Sequence, residues 1–174
     1  MPDDSDDSRA GKAGSEAAYL AGVAEMYQGE VFGEALFSRM MELARTPEQR
    51  HKLANLLQLE SETKVRLRPF VCALGVSVAE SEARRTAGLR EAERLSALSW
   101  DDFIATFHAD IHQYIERYTY IASLAPAADR EMLLSMVDHE RTLLSFLSRE
   151  RAGMGDNSVH AVTEQLQYPL SRSH

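Results

Sequence analysis

The sequence predicts an all-α fold, an antiparallel four-helix bundle, on three observations. Four long segments place apolar residues at alternating steps of three and four, the spacing that lines one face of a bundle helix. The 174-residue chain is rich in Ala, Leu, Glu and Arg and holds only five prolines, a composition that favours helix. Residues 75–99 form a long polar connection, well beyond the roughly two to eight residues that join adjacent antiparallel helices. A segment of that length crosses from one end of a bundle to the other.

The opening stretch, MPDDSDDSRAGKAGS, is acidic, made of small residues and without an apolar h-region, so it reads as a disordered tail rather than a signal peptide. The first helix is expected from about Glu16 to Ala44, with an inward seam of Leu20, Val23, Tyr27, Glu30, Glu34, Phe37, Met41 and Ala44. Thr46 caps the second helix, Pro47 takes its first position and Gln49 completes a capping box. That helix runs to Leu74 and stops at Gly75, its seam reading Leu53, Leu56, Glu60, Thr63, Leu67, Phe70 and Leu74. The connection AESEARRTAGLREAERL, broken by Gly88, is partly helical and solvated, its mixed signs arguing against a nucleic-acid patch. The third helix opens at SWDD, where Ser99 and Asp102 have capping-box spacing, and continues to Leu124 through Ile104, Phe107, Ile111, Tyr114, Tyr118 and Ile121. The fourth follows Pro126, carries Leu133, Met136, Glu140, Leu143 and Leu147, and ends before Gly153; a short capping helix starts at Asn157. The expected organisation is a tail over 1–15, a bundle over 16–151 and an extension over 152–174.

Composition narrows the function. The chain is 44% hydrophobic and 26% charged, an ordinary soluble balance. No apolar run approaches the roughly 18 residues of a membrane span. A net charge of -8 leaves no basic stripe for nucleic acid. The single cysteine, Cys72, rules out an internal disulfide, fits a reducing cytoplasm, and in FVCALG reads as a buried, inert thiol. Tyr114, Tyr118 and Tyr120 are expected to pack, and Met40, Met41, Met132 and Met136 to fill the core.

The chemistry lies in the carboxylates. In GEVFGEALF, Glu30 and Glu34 share a helix face among large apolar residues, although a seam shifted by one position (Leu20, Ala24, Tyr27, Val31, Ala35) would expose them. Glu30 and Glu60 lie about 16 and about 14 residues from the first hairpin turn, His112 and Glu140 about 14 from the second, so at about 1.5 Å per residue all four share one depth. Burying several unpaired carboxylates costs several kcal/mol each, so they must be protonated, paired or metal-bound. Mid-bundle carboxylates and histidines suit a pair of hard divalent cations. His108 and His112 share a face at a spacing that can also bind metal, and His139 adjoins Glu140. Gly22, Gly29 and Gly33 form a small-residue stripe on the first helix, along which a neighbouring helix or a second subunit could approach, and a homodimer is the expected assembly.

In GEVFGEALF, LLQLESETKVRL and MVDHERTLLSFLSRE, over roughly residues 17–151, the chain resembles the ferritin-like superfamily, of the rubrerythrin or di-iron carboxylate type, with an incomplete ligand set. That family carries a glutamate on each of two helices and Glu-x-x-His on each of the other two. Here Thr63 and Leu143 occupy the two histidine positions, and the third helix has no glutamate at the expected level, Glu116 being nearest. The resemblance implies a di-metal iron or manganese centre, with oxygen or peroxide chemistry, held by Glu30, Glu60 and Glu140 and completed or supported by Glu34, His112 and His139. The alternative is a metal-free scaffold or interaction bundle, its carboxylates satisfied by Lys64, His112, His139 and tyrosine hydroxyls. Iron storage in a cage is the weaker third reading.

Overall fold

The computed structural model describes the backbone of residues 4–170, and side chains from residue 14 onward. Among them it is all helical: α1 (Asp4–Leu43), α2 (Pro47–Ala73), α3 (Glu82–Ser96), α4 (Trp100–Leu124), α5 (Arg130–Arg151), a 3-10 turn at Gly155–Asn157, and α6 (His160–Gln165). None of these helices is long and apolar enough to cross a membrane.

The boundaries follow the local chemistry. Thr46 Oγ1 accepts the Gln49 amide at 3.1 Å, while Gln49 Oε1 reaches back to the amide of Arg45 at 3.2 Å. Ser99 Oγ accepts the Asp102 amide at 3.1 Å and donates to Asp102 Oδ2 at 2.7 Å. Gly75, at φ 71°, ends α2 in the left-handed conformation, with the Val76 amide donating to the Val71 carbonyl at 3.1 Å.

Two hairpins, α1–α2 and α4–α5, make the bundle; they meet where α1 touches α4 and, more sparingly, where α2 touches α5. Their facing stripes bury two separate apolar clusters. One holds Phe37, Leu56, Phe103, Ile111 and Phe146, the other Tyr27, Val31, Leu67, Tyr118 and Met136. At the break between them, α1, α2 and α5 bury Glu30, Glu60, His139 and Glu140 instead. At the turn-bearing end, buried Lys52 bridges Glu48 and Glu150, each at 2.7 Å, and the Trp100 indole donates to Glu150 at 2.7 Å. At the C-terminus, Glu62 on α2 accepts the amides of Gln167 (2.6 Å) and Tyr168 (3.3 Å), while Gln165 of α6 donates to Thr142 of α5 at 2.6 Å.

The structure corrects three sequence expectations and resolves a fourth. Residues 4–15, expected as a disordered tail, continue α1, whose helical backbone reaches back to Asp4; Ala10, Lys12 and Ala13 are good helix formers there. The polar connection is not merely partly helical: it holds α3, which packs along α1 and buries Gly88, Ala92 and Leu95. Gly88 is a point of contact rather than a break, since a Cβ there would overlap the Phe32 carbonyl oxygen and stand 3.0 Å from Ala35 Cβ. Cys72 is exposed, because Val71 takes the buried face of this turn and directs the next residue about 100° away. Of the two approaches expected at the glycine stripe, the structure shows that of neighbouring helices: Gly22 receives Ile121, Gly29 the Tyr118 hydroxyl and Gly33 the Glu60 carboxylate.

Gly88→Ala tests the α1–α3 crossing. On helix propensity alone the substitution stabilises by about 0.5–1 kcal/mol. Overpacking against backbone reverses the sign, and a net loss of about 1–3 kcal/mol is expected in urea unfolding. A more stable variant would show that the helices do not approach so closely.

Candidate metal centre

Three helices deliver the buried polar layer. Glu30 comes from α1, Glu60 and Thr63 from α2, and His139 with Glu140 from α5. One ligand atom from each of Glu30, Glu60 and His139 lies within 4.8 Å of the others, and all three residues are buried. His139 Nε2 stands 3.3 Å from Glu60 Oε1 and 3.8 Å from Glu30 Oε2. The other ring nitrogen, Nδ1, lies 3.2 Å from the Thr63 hydroxyl, which holds the ring with Nε2 toward the carboxylates. Neither His139 Nε2 nor Glu30 Oε2 makes a hydrogen bond of good geometry, although both are buried and Nε2 stands at ion-pair distance from both carboxylates. Such orphaned atoms are rare in folded proteins because each loses its hydration without replacement. Metal–ligand bonds of about 2.0–2.2 Å place neighbouring donors about 3 Å or more apart, so the spacing here suits a bound cation.

Burial and mutual charge set the protonation of the layer. Burial drives the Glu30 carboxyl well above its usual range; His139 opposes the shift, and Glu60 and Glu140 add to it. Glu140 is pushed up to about 7, first by burial and then by Glu60, against the pull of His139. For His139, burial acts to lower the pKa, but the carboxylates of Glu30, Glu60 and Glu140 outweigh it and raise it to about 10. The Tyr118 phenol is held well above its usual range by burial and then by Glu140, Glu30 and Glu60, so it keeps its proton.

The six residues singled out from the sequence divide. Glu30, Glu60, His139 and Glu140 converge. Glu34 lies at the edge of the layer, accepting from Ser61 at 2.7 Å and pairing with Lys64. Lys64 also bridges to Glu80 at 2.7 Å, and so ties α1 and α2 to the segment before α3 rather than neutralising Glu60. His112 is exposed and stacks edge-on with His108, ring centroids 5.5 Å apart. Its depth is right and its direction wrong: Ile111 takes the buried face, and the next residue turns about 100° outward. Tyr118 occupies the α4 side of the layer instead, its hydroxyl seated over Gly29.

Thr63 and the two glycines shape the polar layer in ways that the sequence pattern did not bring out. Thr63 stands where a Glu-x-x-His pattern would place histidine, and it serves as the hydrogen-bond partner of the histidine supplied from α5. The spacing of Gly29 and Gly33, one residue before each glutamate, was the signal for the space that Tyr118 and Glu60 fill. No family model, no curated protein and no solved structure matches the chain.

These protonation shifts predict how the chelator-treated protein responds to pH. His139, raised from 6.5 to about 10, stabilises the fold fully below pH 6.5, and this is lost as pH rises to about 10. Glu140, raised from 4.5 to about 7, favours the folded state while neutral, and that contribution disappears between pH 4.5 and about 7. Both act in the same direction, so the melting temperature should fall from mildly acidic to alkaline pH, and Glu140→Gln should flatten the lower part of the decline. A melting temperature that rises across this range contradicts the charge arrangement.

Proposed function

We propose that this chain is a ferritin-like metal-binding protein whose centre is built on Glu30, Glu60 and His139, with Glu140 extending it toward a second ion. The observation that carries this reading is the pair of orphaned buried atoms, Glu30 Oε2 and His139 Nε2, facing one another and Glu60 across the middle of the bundle. Three carboxylates and one imidazole form a hard, oxygen-rich donor set suited to iron or manganese. Either metal would supply one-electron redox chemistry toward oxygen or peroxide. The chain's own part is to orient His139 through Thr63, to exclude water with the two apolar clusters, and to hold a proton on Tyr118 beside the centre.

A second reading has a specific observation in its favour. With His139 protonated and paired to Glu60, and with Glu30 and Glu140 carrying protons, the layer is close to neutral without any ion. The bundle would then be a metal-free scaffold with a satisfied polar core.

Metal analysis combined with melting separates the two. Protein purified without chelator should contain iron or manganese, lose it in Glu60→Ala, and melt at a lower temperature once chelated, since a ligand of the folded state alone stabilises by mass action. Because metal displaces protons from His139 and Glu140, the stabilisation by added metal should be greater at pH 8 than at pH 5.5. A metal-free network predicts instead a loss of about 1–3 kcal/mol in Glu60→Ala, independent of metal. Wild-type protein that takes up neither metal on titration and ignores chelator would exclude the metal centre.

A further inference from the structure

Against the carboxylate face of the polar layer lies a cavity of about 120 Å³. Glu30, Glu60 and Glu140 line one side, while His139 does not reach it. The rest of the lining is mainly apolar, with Phe37, Phe107, Ile111 and Leu143, and includes the phenol rings of Tyr114 and Tyr118. Apolar space with a few convergent polar groups is the usual form of a small-molecule site. A dry cavity of about 150 Å³ admits benzene, so this one has room for about one small ring or a short chain.

Charge narrows the occupant further. A charged ligand would lose its hydration on entering this mainly apolar space, which costs several kcal/mol unless a counter-charge meets it inside. Glu25 and Arg84 stand at the rim, but Glu25 is already paired with Arg117, at 2.6 Å. What remains is an uncharged molecule, apolar over most of its surface, with one hydrogen-bond donor turned toward the acidic side.

We propose that this cavity is a binding site for small, uncharged, mainly apolar molecules of single-ring size, and that it is the substrate subsite of the metal centre. The second half rests on the metal reading; the first does not. The ligand's apolar body lies among Phe37, Phe107, Ile111 and Leu143, and its polar end points to the carboxylates that hold the metal.

The probes are benzene, phenol and benzoate, added to full-length protein with and without iron and followed by thermal shift and calorimetry. Benzene and phenol should bind and raise the melting temperature, whereas benzoate, of similar size but anionic, should not. Leu143→Phe, which fills the apolar side, should abolish binding of both while leaving iron content unchanged. Glu60→Ala should lose iron and still bind benzene. If Leu143→Phe does not fold, crystals of the wild type under xenon pressure give the same information, with xenon expected between Phe107 and Leu143. Absence of benzene and phenol binding, or equal binding of benzoate, overturns the site. Benzene binding by a wild type that takes up no metal overturns the substrate role and leaves the cavity as a ligand site. In iron-loaded protein, phenol should also perturb the visible spectrum of the iron; binding with an unchanged spectrum overturns its placement at the metal.

Discussion

Carboxylates buried at the middle of a helical bundle are the constraint around which the rest of this structure is arranged. An ionised carboxylate moved out of water loses hydration worth several kcal/mol even after the surroundings relax, and three of them near one another also repel. The bundle answers with a histidine. His139 sits among Glu30, Glu60 and Glu140, and Thr63 fixes its outer nitrogen. The same layer divides the apolar interior into two clusters, each continuous across the four main helices. These clusters supply the packing that holds the polar groups together, because a charged layer at this depth has little favourable energy of its own.

The fold was largely legible because its signals are periodic and local. The seams of α2 and α5 recur as buried residues except for partly buried Phe70 and Leu74, and Thr46, Gly75 and Ser99 act at the ends where their chemistry places them. The polar segment after Gly75 was harder. A helix that buries only Gly88, Ala92 and Leu95 has little apolar contrast, and its main contact is made by the absence of a side chain. The backbone from Asp4 to Ser15 posed the same difficulty, since helix formers with no apolar stripe read as tail.

The site was legible in depth and only partly in direction. Counting residues from a turn gives the level on the bundle axis, and Glu30, Glu60 and Glu140 do share one level. Level leaves the angle about the axis open, at about 100° per residue, and one residue separates exposed His112 from buried Ile111. His139 shows the opposite case. Two adjacent residues of α5, His139 and Glu140, are both buried because helices flank them on more than one side, which a single-seam reading does not anticipate. The partners of Lys64 were misjudged for a related reason: Glu80, distant along the chain, is brought alongside only by the path into α3.

The C-terminal strap has a mechanical meaning. The helices that carry Glu60 and His139, α2 and α5, touch each other sparingly, yet their side chains must keep a separation of 3.3 Å. The segment around α6 is fastened to both, to α2 through Glu62 and to α5 through Thr142. It thus works as a tie-bar between two beams with little direct bracing, anchored on each within a turn of the polar layer. Any force that slackens this tie would be felt first as a change in spacing between the two halves of the site, before the bundle itself comes apart.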